Sequence, residues 1–185
     1  MSSQWKNLVS ALAAIILASV FVFGFNVDLF FWLDDPQALD SPATSTALVT
    51  NVIDGDTFTA EVGSTTESVR LIGIDAPEIT WPSEENGLLE PEPECFGWEA
   101  REELREHLQG KEVVLVEDRL QPAYDDYGRR LAYVYRDGEL INEQLLREGF
   151  ARELTVGRGY EKQDSFRASQ KLAQEAEVGL WAACE

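Results

Sequence analysis

The chain has 185 residues, with 34 acidic against 15 basic side chains and a formal net charge of −19. This length fits one domain with an appendage, and the charge argues against a broad basic surface of the kind that gives proteins their affinity for nucleic acid. A single histidine and two cysteines give little support to zinc or histidine-based catalysis. The acidity has two possible explanations. An acidic surface keeps a protein soluble, or the protein is adapted to a saline habitat, where molar salt shortens the screening length to about 3 Å and so weakens the repulsion between carboxylates.

The N-terminal segment 1–33 is predicted to be a membrane anchor. Residues 8–25 form an 18-residue run without a charge, which is long enough for a helix that spans a bilayer. Lys6 precedes this run. A cleaved signal peptide is the alternative, although no small-residue cleavage site follows closely. The lysine before the run and the aspartates after it orient the rest of the chain away from the cytoplasm. Residues 34–47, rich in proline, serine and threonine, are predicted to be a solvated linker.

The remaining region, 48–185, is predicted to be a single domain. Five short runs rich in β-branched residues indicate strands, and three segments with helical periodicity indicate helices. The strands are expected at 48–52, 57–62, 68–74, 111–117 and 130–136, and the helices at 96–109, 142–148 and 161–175. This order of elements predicts an α+β fold, a closed five-stranded Greek-key β-barrel of the OB type with three helices.

Three short motifs concentrate the residues that metal-assisted phosphodiester hydrolysis requires. They are Val-Ile-Asp-Gly-Asp-Thr at 52–57, Val-Arg-Leu-Ile-Gly-Ile-Asp-Ala-Pro-Glu at 69–78, and Tyr-Gly-Arg-Arg-Leu-Ala-Tyr at 127–133. A phosphodiester is already negative, so attack by water needs a cation that neutralises the charge developing on the phosphoryl oxygens. Asp56 and Asp75 supply the hard oxygen ligands that suit Ca²⁺. Because a proline follows it, Ala76 is biased to an extended backbone, which turns its carbonyl towards the same ion.

Two arginines and a glutamate complete the predicted site. Arg70 and Arg129 each present a planar fork of donors that matches two phosphoryl oxygens. Glu78 is the candidate to orient or deprotonate the attacking water. Considered without the motif, Glu78 could equally be a solvated carboxylate in a loop. Each arginine could equally be a partner in a surface ion pair. Strict alternation along one strand would put Arg70 and Asp75 on opposite faces, so a β-bulge near Gly73 is expected to restore the register.

The three motifs, in this order and spacing, resemble the staphylococcal nuclease (thermonuclease) family, and the resemblance extends from about residue 45 to the C-terminus. It implies a Ca²⁺-dependent endonuclease that cleaves DNA and RNA and leaves 3′-phosphate ends. It further implies that Tyr127 lies beside the substrate. All the catalytic and metal-binding positions are filled, which argues against a non-catalytic module that binds nucleic acid or protein at the cell surface. A further alternative is an acidic cell-surface protein whose barrel serves only as a scaffold. We expect a monomer.

The sequence also departs from that family at three positions. The family has threonine where Ala76 stands, a lysine at the position of Asp126 and a second substrate tyrosine around Thr155. The change at Ala76 is tolerable because the expected metal contact there is a backbone carbonyl. The loss of the lysine and the tyrosine is expected to weaken nucleotide binding or to change the base preference.

Cys95 and Cys184 are predicted to form a disulfide. Two cysteines in a domain outside the cytoplasm are more often paired than free. Cys95 precedes the first predicted helix and Cys184 lies in the tail after the last one, so the bond would tie the C-terminal tail to the barrel. Two unrelated buried thiols are the alternative.

Overall fold

The structure, a computed structural model, describes residues 42–79 and 93–184. The strands in these ranges are β1 (Thr44–Val52), β2 (Thr57–Val62), β3 (Thr65–Leu71), β4 (Ile74–Asp75), β5 (Glu112–Val116), β6 (Arg130–Arg136), β7 (Glu139–Leu140) and β8 (Arg152–Glu153). The helices are α1 (Gly97–Leu108), α2 (Ile141–Glu148), α3 (Gln163–Glu175) and α4 (Leu180–Ala183). The predicted anchor at 1–33 lies outside the described residues, and no helix within them is long and apolar enough to cross a membrane.

Five strands close into a barrel. The sheet runs β3-β2-β1-β5-β6 and closes because β3 also pairs with β6, in parallel, while β7 extends β6 at the edge. The other neighbours in the barrel are antiparallel. β4 and β8 form a separate two-stranded ladder. The prediction of a closed five-stranded OB-type barrel in an α+β fold is therefore confirmed for the domain, although the described residues contain a fourth, short helix, α4, beyond the three predicted.

Alternation of apolar and polar residues fills the barrel and fixes the helices to it. Val49, Phe58 and Leu115 are fully buried inside it, as the period-2 pattern of half-buried strands requires. Helix α1 buries Ala100, Leu104 and Leu108, which are spaced four apart and therefore share one face. Burying such a leucine side chain stabilises the fold by roughly 1.5–3 kcal/mol.

Asn142 is the first residue of the predicted helix 142–148, and asparagine is a typical N-cap residue, but here its side chain does not cap the helix. Helix α2 begins at Ile141 without a side-chain cap, and the Asn142 side chain is instead fully buried. Its Oδ1 accepts the Val134 N–H at 2.8 Å, and its Nδ2 donates to the carbonyls of Ile72 at 2.9 Å and Ala132 at 3.2 Å. One amide thus joins the helix to β6 and to Ile72, the residue that follows β3.

The bounds of β1 and β3 differ most from the prediction, and the other differences are of one or two residues. Strand β1 begins at Thr44, so the last four residues of the predicted 34–47 linker belong to the barrel, where Thr44 pairs with Val116. The expected strand 68–74 is interrupted, because Gly73 adopts a left-handed backbone with φ of 77°. A Cβ at Gly73 would lie 2.6 Å from the Tyr160 ring, so this turn needs glycine for space as well as for conformation.

Candidate active site

Asp56 lies in the turn between β1 and β2, and only 1% of its surface is exposed. Its Oδ1 accepts the Thr57 hydroxyl at 2.9 Å, and its Oδ2 accepts the Ala76 N–H at 2.8 Å. Asp54 Oδ1 accepts the Asp56 N–H at 3.0 Å. Burial raises the pKa of Asp56 to about 8; Arg70 opposes this shift and Asp54 adds to it. Because burial disfavours the ionised form of this carboxyl group, a further positive charge beside it would be stabilising.

Gly55 lets this turn approach its neighbours closely. A Cβ at Gly55 would lie 2.6 Å from the Ala76 Cβ and 2.9 Å from the Ala100 Cβ. Contacts that short do not occur between side chains, so any other residue would push the turn away from both. The Asp-Gly-Asp motif thus places its second carboxylate by close packing against Ala76 and helix α1.

Arg70 connects the two carboxylates that the sequence assigns to the metal. Its Nη1 donates to Asp56 Oδ1, and its Nη2 donates to Asp75 Oδ1 at 2.8 Å and to the Ile74 carbonyl at 3.3 Å. Arg70 and Asp56 are largely buried, whereas 51% of the Asp75 side chain is exposed. One guanidinium therefore contacts three oxygen atoms. We call the site formed by Asp56, Arg70 and residues 74–78 the rim of the barrel.

A turn brings Arg70 and Asp75 together, and the bulge expected from the sequence is not what does so. β3 ends at Leu71, the chain turns at Ile72 and Gly73, and β4 starts at Ile74. β4 pairs with β8, where Ile74 lies opposite Glu153. The chain therefore leaves the barrel sheet between the two residues, and the strict alternation of a single strand no longer applies.

Glu78 follows on the same segment and lies on the exposed side of this site. Partial burial raises the pKa of its carboxyl, Asp54 and Asp75 add to the shift, and Arg70 opposes it. The Glu78 N–H donates to Glu94 Oε2 at 3.3 Å, and the Glu78 carbonyl accepts the Glu94 N–H at 2.9 Å. Glu94 thus hydrogen-bonds both the N–H and the carbonyl of Glu78. The segment just before helix α1 therefore fixes the position of the Glu78 backbone.

Arg129 and Arg70 both line a cavity of about 350 Å³. Arg70, Arg129, Tyr127, Asp126 and the apolar Leu154 and Val156 are among the residues that line it. Arg129 Nε donates to Asp125 Oδ2 at 2.7 Å, and the guanidinium lies 5.3 Å from the centre of the Tyr127 ring. The structure therefore brings the two predicted arginines to one cavity of the size that small ligands occupy.

The turn that carries Arg129 is organised by Asp125. Its Oδ1 accepts the N–H groups of Tyr127 at 3.0 Å and Arg129 at 2.9 Å. Partial burial acts to raise the pKa of Asp125, but the hydrogen bonds from Arg129 and Tyr127 outweigh it and the pKa is lowered. Tyr127 itself is 86% exposed, so its ring is available to a ligand that enters the cavity.

The donor set at this rim fits a hard cation. Asp56, Asp75 and the Ile74 carbonyl already surround one positively charged group, the Arg70 guanidinium. Each carboxylate oxygen can accept more than one partner, so Arg70 does not exhaust them. The described ligands at this rim are all oxygens, which is the chemistry that Ca²⁺ and Mg²⁺ prefer. The Ala76 N–H donates to Asp56, so the predicted role of this residue in metal binding falls to its carbonyl.

Sequence reasoning missed three residues that build the site. Asp54 hydrogen-bonds the Asp56 N–H, Asp125 organises the Arg129 turn, and Glu94 holds Glu78. The first two lie within or beside the motifs, where an Asx turn is a readable signal. Glu94 lies 16 residues after Glu78 in an acidic stretch, and no local pattern marks it.

Comparison with known proteins agrees with this geometry. The family model described as staphylococcal nuclease homologue matches residues 68–183. A thermonuclease of Staphylococcus hyicus is 34% identical over 143 residues, covering 77% of this chain and 79% of its own. A thermonuclease of Staphylococcus intermedius is 38% identical over 138 residues, with 72% and 74% covered. Endonuclease YncB of Bacillus subtilis is 33% identical over 130 residues, with 70% and 58% covered.

The closed barrel, the carboxylates at its rim and the two arginines that line one cavity are together the features of a nuclease domain of the OB type. The family match covers more than half of the chain, and the two thermonucleases align along most of theirs. The chain therefore belongs to the staphylococcal nuclease family. At the level of that family it is a nuclease, a hydrolase whose substrate class is nucleic acid.

Proposed function

We propose that this protein is a Ca²⁺-dependent endonuclease that hydrolyses phosphodiester bonds of DNA and RNA. One observation carries the proposal: Arg70 contacts both Asp56 and Asp75 while it lines, with Arg129, a single cavity. A scissile phosphate in that cavity would meet two guanidinium groups on one side of the carboxylate rim. Asp56, Asp75 and the Ala76 carbonyl would hold the Ca²⁺ ion, which supplies positive charge to the phosphoryl oxygens.

The two arginines bind and orient the phosphate. Arg70 is held in place by Asp56 and Asp75, and Arg129 by Asp125, so neither guanidinium has to reorganise when the substrate enters. Donors fixed in advance stabilise the charge that develops in the transition state better than donors that must first be ordered. Lysine at either position would keep the charge but lose the planar, bidentate geometry.

Glu78 orients the attacking water and accepts its proton. Its pKa is raised, first by partial burial and then by Asp54 and Asp75, and a carboxylate of higher pKa is a better proton acceptor. The link to Glu94 fixes the backbone from which the side chain reaches the rim. Tyr127, largely exposed beside Arg129, would pack against the nucleotide or hydrogen-bond its phosphate.

A digestion assay on the full-length chain tests this function. Single-stranded DNA and RNA are incubated with Ca²⁺, with Mg²⁺ or with a chelator, and the ends of the products are examined with a phosphatase specific for 3′-phosphates. We expect cleavage that requires Ca²⁺ and leaves 3′-phosphate ends. Asp75→Asn should raise the Ca²⁺ requirement, whereas the matched control Asp164→Asn, an exposed residue of α3, should not.

The alternative is a module that binds nucleic acid or protein without cleaving it. Binding of single-stranded DNA with no cleavage under any metal condition would establish that alternative and reject the nuclease. Cleavage that persists in the chelator and in Asp75→Asn would instead reject the assignment of the metal ligands. The two failures are therefore distinguishable.

We also propose that the nuclease domain lies outside the cytoplasm, tethered by residues 1–33. The support is the uncharged run 8–25, with a lysine before it and acidic residues after it. Protease added to intact cells should release an active fragment that begins upstream of Thr44, the first residue of β1. A mature protein that lacks residues 1–33 from the outset would support the signal-peptide alternative.

The acidity leads to a proposal about salt. With a net charge of −19, repulsion among carboxylates is strong at low ionic strength and is screened at molar salt. If the protein works in a saline habitat, its melting temperature and its nuclease activity should both rise from tenths molar to molar salt. Salt-independent melting with activity that falls steeply would instead favour an ordinary acidic surface.

A further inference from the structure

Helices α1 and α2 bring together four side chains that the nuclease site does not use. Glu103 and His107 lie one turn apart on α1, and Gln144 and Glu148 lie one turn apart on α2. One ligand atom from each of Glu103, His107 and Glu148 lies within 4.8 Å of the others. We call these four residues the helix cluster. All four are partly buried, so they lie between water and the core.

The contacts of the helix cluster cannot all be hydrogen bonds at once. His107 Nε2 lies 2.9 Å from Glu103 Oε1 and 3.2 Å from the Gln144 amide nitrogen, which lies 3.1 Å from Glu148 Oε1. If Nε2 carries a proton, it can donate to Glu103 but then faces the N–H donors of Gln144. If Nε2 carries none, it can accept from Gln144 but then faces an acceptor-only carboxylate.

Rotating the amide of Gln144 does not remove the conflict. Its oxygen would then face a protonated Nε2 correctly, but it would also lie 3.1 Å from Glu148 Oε1, where two acceptors meet. Neither orientation of the amide satisfies every contact without an added positive species, either a proton on a carboxylate or a bound cation. With that rotation, a neutral imidazole nitrogen, two carboxylate oxygens and an amide oxygen all present lone pairs to a common centre.

We propose that the helix cluster is a binding site for a divalent transition metal of the Zn²⁺ class. Imidazole together with carboxylate suits Zn²⁺, whereas Ca²⁺ takes oxygen ligands only. A tetrahedral ion with ligand bonds of about 2.0–2.2 Å keeps its ligands roughly 3.4 Å apart. The atoms already lie within 4.8 Å, so rotations of the two glutamates and the glutamine suffice. Four protein ligands make the site structural, and the ion would join α1 to α2.

The surroundings of His107 keep this geometry in place. Arg136, on β6, donates from Nη1 to the His107 carbonyl at 2.7 Å, which fixes the end of α1 on the barrel. Leu104 and Leu108, on either side of His107 along α1, are fully buried. Leu145, next to Gln144 on α2, is buried as well. Each ligand pair therefore stands on a helix whose opposite side is anchored in the core, which is the condition for a preorganised metal site.

One spectroscopic experiment reads the site directly. His107 is the only histidine of the chain, so a full-length protein without a histidine tag, in mild detergent, gives a single imidazole signal in a proton–carbon NMR spectrum. We expect one equivalent of Zn²⁺ to shift that signal and an equal amount of Ca²⁺ to leave it unchanged. An imidazole signal that tenfold excess Zn²⁺ does not move would overturn the proposal, and this measurement needs no variant.

A matched set of variants identifies the other ligands. Glu148→Gln and Glu103→Gln remove a ligand charge, and Glu106→Gln makes the same change at an exposed position of α1. In calorimetric titrations with Zn²⁺ we expect at least a tenfold loss of affinity in the first two and wild-type affinity in Glu106→Gln. Asp56→Asn should also bind as the wild type does, because the nuclease site is separate. Equal affinity in Glu148→Gln and the wild type, or loss of binding in Asp56→Asn, would refute the site.

Stability gives a second readout, because an ion that binds only the folded protein raises its melting temperature. Zn²⁺ should raise the melting temperature of the wild type and of Glu106→Gln, but not that of Glu148→Gln. A melting temperature that rises equally in all three would show binding elsewhere on this acidic surface and would contradict the proposal.

Discussion

The barrel rim and the helix cluster both gather acidic side chains around positive charge, but they differ in where that charge comes from. At the rim, Arg70 supplies it from within the chain and contacts Asp56 and Asp75 together. In the helix cluster, the only candidate is His107, whose Nε2 faces a carboxylate and an amide nitrogen at the same time. An arginine that satisfies its neighbours leaves a site that is stable before any ligand arrives. A histidine that cannot satisfy both neighbours at once is the observation on which the proposed metal site rests.

The two sites also differ in how they are held. The rim depends on loops, and its Glu78 is tied to Glu94, the residue before Cys95. Cys95 forms a disulfide with Cys184, 89 positions along the chain. The helix cluster stands on two helices and has no such tie among the described residues. Breaking the disulfide should therefore affect the rim and leave the helix cluster as it is.

The double variant Cys95→Ser/Cys184→Ser is expected to have the largest effect. For a closed loop of about 90 residues the chain-entropy model gives roughly 4–5 kcal/mol of stability, which thermal unfolding measures. Below both melting temperatures, nuclease activity should also fall, because Glu94 loses its anchor. The Zn²⁺-induced shift of the His107 signal should persist. Unchanged activity in the folded double variant would show that the disulfide only stabilises the fold.

Arg70→Lys is expected to have the next largest effect, and this effect is confined to the rim. Lysine keeps the charge but not the fork that reaches Asp56 and Asp75 together, and the loss of a fixed donor typically lowers the rate by about 10²–10³. Arg129→Lys should behave similarly. The control is Arg105→Lys, at an exposed ion pair with Glu102 on α1. Turnover near that of the wild type in both rim variants would reject the assignment of the phosphate-binding residues.

Glu94→Gln should lower kcat by about tenfold, a modest loss for displacing a group that must be positioned to react. The reason is the 3.3 Å bond from the Glu78 N–H to Glu94 Oε2, which a neutral amide holds more weakly. The Ca²⁺ requirement and the melting temperature should stay near those of the wild type. Glu99→Gln, an exposed change in the first turn of α1, is the control; equal rates in both variants would exclude a positioning role for Glu94.

Asp126→Lys is expected to have the smallest effect, a gain of about two- to fivefold in affinity for a nucleotide at low salt, as for other exposed charge changes. Asp126 lines the cavity beside Arg129, where its charge repels a phosphate. The gain should disappear at molar salt, because screening removes it. Asp137→Lys, at a side chain that is 81% exposed and outside the cavity, should give no gain. An unchanged affinity in Asp126→Lys would show that this residue does not face the bound phosphate.

Much of the fold and of the rim was predictable from sequence because both depend on local signals. Alternating β-branched runs predict the strands, and the residues of β2 and β6 were predicted at their observed bounds. The Asp-Gly-Asp and Asp-Ala-Pro-Glu motifs identify Asp56, Asp75 and Glu78 because function needs particular residues at short spacings. Gly73 was also readable as an irregularity, although its physical form, a turn between two sheets, was not.

Contacts between distant segments were not predictable in this way. Asn142 has the position of a helix cap, but the pairing of β3 with β6 puts the Ala132 carbonyl of β6 and the Ile72 carbonyl, just after β3, within reach of its amide. A single histidine in the composition gave little support to zinc chemistry. Only the packing of α1 and α2 on one barrel brings Glu103, His107 and Glu148 within 4.8 Å of one another.

The sequence by itself determined the strands, the nuclease motifs and the presence of two arginines and three carboxylates, because periodicity and motif spacing are local properties. Tertiary structure alone decided that Arg70 bridges Asp56 and Asp75, that Glu94 holds Glu78, and that three potential ligands on two helices lie within 4.8 Å of one another. The physical reason is the same in each case. Turns, barrel closure and helix packing set the distances between these residues, and no local pattern encodes those distances.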